Sequence, residues 1–157
     1  MIQQKITPFL WFDNQSEEAM KFYTSIFSNS KIGTVTYYAD GAPLPKGTVM
    51  TASFQLEGQE FVALNGGPVY TFTPAVSFVV TCQTQDEVDH YWDNLVEGGT
   101  AMQCGWLQDK FGVTWQIVPA QLPSLLRDKE KAGKVMQAFM KMKKLSIPDL
   151  VKAYEAA

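Results

Sequence analysis

The sequence predicts an α+β fold in which two βαβββ-type modules stand in tandem and a helical C-terminal extension follows. Three observations predict it: an internal repeat, β-rich stretches after each copy of that repeat, and a change to helical periodicity beyond Pro119. We place the paired modules within residues 1–120, at about 5–68 and 74–119, and the extension at 121–157. All three parts are expected to belong to one domain.

The internal repeat pairs "PFLWFDNQSEEAMKFYTSIF", which begins at Pro8, with "SFVVTCQTQDEVDHYWDNLV", which begins at Ser77. An offset of about 69 positions places Phe9 on Phe78. Each copy has the pattern of an apolar strand, a polar turn and an amphipathic helix. Ser16 and Thr84 are the predicted caps of the two helices.

The stretches after each predicted helix follow a common pattern. Three β-rich segments, 31–38, 49–56 and 60–65, come after the first helix, and two, 100–107 and 113–118, come after the second. Beyond Pro119 we expect helices at 122–128, 132–143 and 147–156, the last with Ser146 as its cap and Pro148 in its first turn.

Composition and charge narrow the functional classes. The chain has 157 residues and is 46% hydrophobic, with only two cysteines, which we expect to be reduced thiols. No apolar run is long enough for a membrane span, and no signal peptide is evident, so a cytoplasmic protein is expected. Residues 1–120 carry a net charge of −7 and residues 121–157 one of +4. This asymmetry favours docking of the tail on an acidic body, its own or a partner's, over nucleic-acid binding.

The stretch "CGWLQDKFGVTWQIVP", residues 104–119, contains an Asp-x-x-Gly turn at Asp109–Gly112, followed by an apolar strand with a single amide, Gln116. Strand alternation predicts Thr114 and Gln116 on one face and the neighbouring Trp115 on the other. We interpret Asp109 as a turn residue.

These segments, together with "FVALNGGP" and the tail "VMQAFMKMKKLSI", resemble the vicinal oxygen chelate superfamily of glyoxalases, bleomycin-resistance proteins and extradiol dioxygenases. The chain is most similar to the PhnB-like branch, which often carries the label 3-demethylubiquinone 3-methyltransferase. The resemblance implies paired modules that enclose a concave pocket, and a homodimer that commonly exchanges modules between chains. It does not explain the methyltransferase label, because Gly66-Gly67 lies between strands and fits a tight turn better than a cofactor loop.

In the metal-using relatives, His and Glu ligands lie at strand positions that can be matched in this chain. The resemblance places Pro8 or Ile6, Ala63 or Asn65, Ser77, and Gln116 at those positions. Neutral amides and hydroxyls bind divalent ions far more weakly than imidazole and carboxylate do. We therefore expect no bound metal and no cofactor. The sole histidine, His90, falls on the second predicted helix, away from the site.

The candidate site is a small-molecule pocket of a few polar groups among aromatics. Leu10 and Phe54 are candidate apolar lining, and the candidate ligand-binding residues are Asn65, Ser77, Cys104, Trp106, Thr114 and Gln116. We expect a metal-free protein that binds a small molecule and forms a homodimer, with no nucleic-acid or membrane partner. Two alternatives stay open: a glyoxalase- or dioxygenase-related enzyme with an atypical metal site, and a methyltransferase in name only.

Overall fold

The computed structural model describes residues 4–157, which form two units, one ending at Thr71 and the other beginning at Phe72. Each unit contains one four-stranded mixed sheet and a helix on one of its faces, and the second unit also contains the helical tail. The predicted α+β fold class is confirmed. Within the described residues, no helix has the length and apolar character that crossing a membrane would require.

The first unit has the strand order β1-β4-β3-β2, with β1 parallel to β4 and the other neighbours antiparallel. Its elements are β1 Phe9–Phe12, α1 Ser16–Ile26, β2 Ser30–Tyr37, β3 Val49–Leu56 and β4 Gln59–Asn65. Alternate residues of β1, β3 and β4 are buried, and α1 packs against this face. The ring of Tyr23 on α1 stacks on Phe54 at a centroid distance of 5.9 Å. Phe54 and Leu10, both candidate pocket lining from the sequence, are therefore part of the helix-facing core.

The second unit repeats this arrangement with the order β5-β8-β7-β6, with β5 parallel to β8. Its elements are β5 Ser77–Cys82, α2 Gln85–Val96, β6 Thr100–Ala101, β7 Trp106–Gln108 and β8 Thr114–Pro119, followed by the tail helices α3 Leu122–Leu125, α4 Ala132–Lys141 and α5 Ile147–Glu155. The stretch expected as one strand at 100–107 is divided between β6 and β7. The physical reason is that Cys104 and Gly105 have positive φ angles of 63° and 82°, which interrupt the extended backbone.

The repeat differs from the expected one by a single residue in its strand-to-helix connection. The helices begin at Ser16 and Gln85, which are 69 positions apart, but the strands end at Phe12 and Cys82, which are 70 apart. The structural counterpart of Phe9 is therefore Val79, and the expected match of Phe9 to Phe78 is wrong. Because side chains alternate along a strand, this one-residue difference places the two phenylalanines on opposite faces of their sheets.

The predicted caps are confirmed at two helices and wrong at one. The Thr84 hydroxyl accepts a hydrogen bond from Glu87 N at 3.2 Å, and the Ser146 hydroxyl accepts one from Asp149 N at 3.3 Å. Ser16 is instead the first residue of α1, and its N–H donates to Asn65 Oδ1 at 2.9 Å. A side chain from β4, 49 residues away, thus replaces the local cap of this helix.

The basic tail docks on its own unit. Its core consists of the buried residues Leu122, Val135, Leu145 and Leu150. Lys144 Nζ forms ion pairs with Asp89 Oδ1 at 3.2 Å and Asp93 Oδ1 at 2.9 Å, both on α2. The charge asymmetry predicted that the tail docks on an acidic body, either of its own chain or of a partner. The structure shows the tail docked on its own chain.

Candidate functional site

The candidate site lies on the face of the second sheet that points away from α2. Residues that share this face follow from the register of β5, β7 and β8. All eight of these described side chains are uncharged: Ser77, Val79, Thr81, Trp106, Gln108, Thr114, Gln116 and Val118. The face therefore offers hydroxyls, amides, an indole and short apolar groups.

Gln116 lies at the centre of this face, between Val79 on β5 and Trp106 on β7. Its Nε2 donates a hydrogen bond of 2.9 Å to Ser77 Oγ, although the two residues are 39 positions apart in the sequence. Both side chains are half-buried. The bond leaves Gln116 Oε1 available as an acceptor and the Ser77 hydroxyl proton available as a donor.

Thr114 is the deepest polar residue of the face. It is paired with Ser77 and with Gln108, and only 1% of its surface is exposed. Among residues 4–157 its Oγ1 has no hydrogen-bond partner. A buried hydroxyl without a partner costs free energy, on the order of 1–3 kcal/mol.

The orientation of β8 is set by the turn that precedes it. Asp109 is buried, and its Oδ1 accepts hydrogen bonds from Phe111 N at 2.9 Å and from Val113 N at 3.1 Å. Its Oδ2 accepts one from Trp115 Nε1 at 2.9 Å. The carboxylate thus holds Trp115 on the helix-facing side, and strand alternation then turns Gln116 toward the open face. Asp109 is a turn residue as predicted, and its bond to the indole was not anticipated.

Cys104 lies beside this face but not on it. It belongs to the link between β6 and β7, and its N–H donates to Met142 O in the tail at 2.8 Å. The thiol is half-buried. The next strand begins with Trp106, so the conformation of the link decides where that indole stands relative to Gln116.

Asn65 lies in the other unit, on the helix-facing side of the first sheet. Its side chain is buried, with Oδ1 accepting from Ser16 N at 2.9 Å and Nδ2 donating to Val49 O at 3.0 Å. Both ends of this amide therefore form hydrogen bonds within the first unit, one to the start of α1 and one to β3. Phe9 of β1 pairs with Val62, and its counterpart Val79 of β5 pairs with Gln116. The residue of the first sheet that corresponds to Gln116 is therefore Val62. The signal that could have shown this is the extra residue between β1 and α1.

The donor set does not fit a divalent metal ion. The matched positions Ser77 and Gln116 offer a hydroxyl and an amide that already bond to each other. Pro8 offers only its backbone carbonyl, which accepts from Val62 N at 3.0 Å. Divalent ions prefer imidazole nitrogens and carboxylate oxygens to these groups. Across residues 4–157, no three His, Cys, Asp or Glu side chains are grouped so that they could hold a metal ion. His90 is exposed on α2 and lies within hydrogen-bonding distance of Asn94.

Trp11 packs against the glycine pair of the first unit. A Cβ on Gly66 would lie 2.1 Å from the Trp11 ring, and Trp11 Nε1 donates to Gly67 O at 2.9 Å. Gly67 has a φ of +85°, which favours glycine. The pair therefore allows close packing of Trp11 and a tight turn. A phosphate- or nucleoside-binding loop would instead need free N–H groups at this place.

Two repeated modules, each with a four-stranded mixed sheet and a helix on one face, define the chain as a protein of the vicinal oxygen chelate fold. The fosfomycin resistance protein FosX from Listeria monocytogenes shares this fold, with a TM-score of 0.57, 17% sequence identity, and coverage of 81% of this chain and 99% of that chain. A protein from Pseudomonas aeruginosa matches with a TM-score of 0.62, 20% identity, and coverage of 74% and 98%.

The family follows from the sequence matches. The model of the 3-demethylubiquinone-9 3-methyltransferase family matches residues 4–118. The PhnB protein from Bacillus cereus is 42% identical, with a TM-score of 0.68 and coverage of 74% of this chain and 100% of that chain. The chain therefore belongs to the 3-demethylubiquinone-9 3-methyltransferase (PhnB-like) family. A search of curated proteins finds no match.

Proposed function

We propose that this PhnB-like protein binds a small, uncharged molecule on the open face of its second sheet, without a bound metal ion. The observation that carries the proposal is the hydrogen bond from Gln116 to Ser77. It joins two positions that the resemblance matches to metal ligands of the metal-using relatives. The amide and the hydroxyl at these positions bond to each other.

The chemistry of the face supports an uncharged ligand with a flat apolar part. Trp106 supplies an aromatic surface next to Gln116. Gln116 Oε1 can accept a hydrogen bond and the Ser77 hydroxyl can donate one, so a carbonyl, amide or hydroxyl group would be matched. A charged ligand would lose hydration here without gaining an opposite charge.

Two enzymatic alternatives stay weaker. Methyl transfer, which the family description would suggest, needs a site for adenosylmethionine, and the glycine pair at Gly66 is filled by Trp11. Metal-assisted chemistry has a precedent in the fold, since a Listeria FosX structure contains Mn(II). The uncharged donors at Ser77 and Gln116 do not support it here.

Native mass spectrometry of the purified protein, followed by release and identification of what it carries, tests the proposal. We expect an uncharged organic molecule on the native chain and no stoichiometric zinc, nickel, iron or manganese. Gln116→Leu should lose most of the bound molecule. Gln55→Leu, which changes an amide on the open face of the first sheet, should retain it. About one metal ion per chain, lost in Gln116→Ala, would contradict the proposal and favour an enzyme.

A homodimer is part of the same proposal. It is supported by large apolar side chains of the first unit that are exposed in the single chain, among them Phe9, Val69 and Tyr70 at 61%, 68% and 65% exposure. Surfaces of this kind commonly mark contacts with another protein surface, and modules exchanged between chains would be one way to cover them. Sedimentation at micromolar concentration should give twice 17.6 kDa. A monomer at that concentration would rule the dimer out.

A further inference from the structure

The segment Met142–Ile147, which joins α4 to α5, is bound to the body of the second unit at several points. We call this segment the strap. It lies beyond residues 4–118, the part that matches the family model. Gln85 on α2 holds it by two bonds, from its Nε2 to Leu145 O at 3.1 Å and from Ile147 N to its Oε1 at 2.7 Å. Lys144 adds the ion pairs to α2.

The strap also holds the link between β6 and β7. Its Met142 and Lys143 carbonyls accept hydrogen bonds from Cys104 N and Gly105 N, both at 2.8 Å. On the other side, Gly105 O accepts from Ile117 N of β8 at 2.8 Å. The link is thus fastened between the strap and the strand that carries Gln116.

The link has a backbone conformation that needs such support. Cys104 adopts a φ of 63°, a left-handed conformation that is unfavourable for a residue with a Cβ. Gly105 leaves no room for a side chain, because a Cβ there would lie 3.0 Å from Leu145 Cδ1 and 2.9 Å from Ile117 O. The strap therefore stabilises a link conformation that the local sequence does not favour.

Trp106 follows directly and faces Gln116 across the two strands. We propose that the strap positions Trp106 at the candidate site, with Gln85 and Lys144 acting as positioning residues through Cys104 and Gly105. This inference rests on the proposed function only in that Trp106 contacts the bound molecule. The placement of the indole itself is independent of any ligand.

The test labels the full-length protein with 5-fluorotryptophan and records ¹⁹F NMR spectra without ligand, with the Trp106 resonance assigned by Trp106→Phe. We expect Gln85→Met and Lys144→Met each to shift the Trp106 resonance by more than its line width while leaving Trp115 in place. Lys144→Arg, which can keep the ion pairs, should return the resonance to its native position. Lys46→Met, which breaks an exposed ion pair in the first unit, should move neither resonance.

Two results would overturn the inference. One is a Trp106 resonance that stays within its line width in both strap variants. The other is a shift of Trp106 and Trp115 together, which would show a general loss of packing in the second unit. If Gln85→Met does not fold, the Lys144→Met spectrum alone decides whether the strap positions Trp106. This substitution removes only the two ion pairs of a half-exposed side chain.

A separate titration with benzamide, an uncharged aromatic amide, keeps the two proposals apart. If benzamide moves the Trp106 resonance in the native protein and does so more weakly in the strap variants, both proposals are supported. If benzamide leaves Trp106 unmoved in the native protein, the proposed binding face loses support, and the ligand-free spectra still decide whether the strap positions the indole.

Discussion

Replacing Asp109 tests how the candidate site is oriented. Its carboxylate is buried and accepts hydrogen bonds from Phe111 N, Val113 N and Trp115 Nε1, at 2.9, 3.1 and 2.9 Å. Hydrogen bonds to a charged group contribute roughly 1.5–3 kcal/mol each, but bonds that share one acceptor residue are not additive. Removing a buried acceptor leaves its donors unsatisfied, at a cost of about 1–3 kcal/mol for each buried donor.

We therefore expect Asp109→Ala to lower the free energy of unfolding by about 4 kcal/mol. At roughly 2–4 °C per kcal/mol for a chain of this size, the melting temperature should fall by about 8–16 °C. Asp109→Asn keeps one oxygen for the two backbone donors but turns an amide N–H₂ toward the indole N–H. It should cost about 1–3 kcal/mol, the penalty of one unsatisfied buried donor.

Urea unfolding followed by circular dichroism and tryptophan fluorescence measures both variants. In a Trp115→Phe background, Asp109→Asn should cost much less, because the indole donor is gone. Asp40→Ala is the control: its side chain is 82% exposed and forms an exposed ion pair with Lys46, so its effect should stay within about 0.5 kcal/mol. A loss below about 1 kcal/mol for Asp109→Ala would refute the role of this carboxylate in holding β8.

Three further changes test other parts of the fold. Burial raises the pKa of the Cys82 thiol to about 11, so at pH 8 only about one molecule in a thousand is thiolate. Ellman's reagent should therefore titrate one thiol, Cys104, in the native chain and two after unfolding. Two fast-reacting thiols in the native chain would contradict this. Gly66→Ala should cost about 1–3 kcal/mol, because its Cβ would lie 2.1 Å from an indole ring, whereas Gly133→Ala, with no atom within 4 Å, should be neutral or stabilising by thermal melting. Leu145→Ala should cost about 2–5 kcal/mol by urea unfolding, since the side chain is fully buried in the core of the tail, and an unchanged midpoint would show that the tail does not stabilise the unit.

Features that depend on neighbours in the sequence were predictable. The two-residue period of β8 predicted that Gln116 and Trp115 lie on opposite faces of the strand. The Asp-x-x-Gly pattern predicted the turn at Asp109. The cap residues of α2 and α5, Thr84 and Ser146, were recognisable because a cap bonds to an N–H only three residues away. The repeat and the apolar stripes were enough to predict the α+β class, since burial of one face per element leaves few ways to pack two such modules.

Features that depend on distant residues were decided by the tertiary structure. One extra residue before α1 made Val62 the counterpart of Gln116 in the first sheet, where the sequence suggested Ala63 or Asn65, and Asn65 accepts a hydrogen bond from the first N–H of α1 instead. A repeat read from sequence aligns helices and strands together, whereas in the folded chain a short connection can lengthen without cost to either element.

By itself, then, the sequence determined the α+β class, the repeat of strand and helix, and which face of β8 is polar. Only the tertiary structure decided that Ser77 bonds to Gln116 and that the strap reaches the link before Trp106. Local periodicity and capping act over a few residues, so the sequence displays them directly. Contacts across 38 residues or more depend on register, connection length and docking of the tail, and these are set by the packing of whole elements against one another.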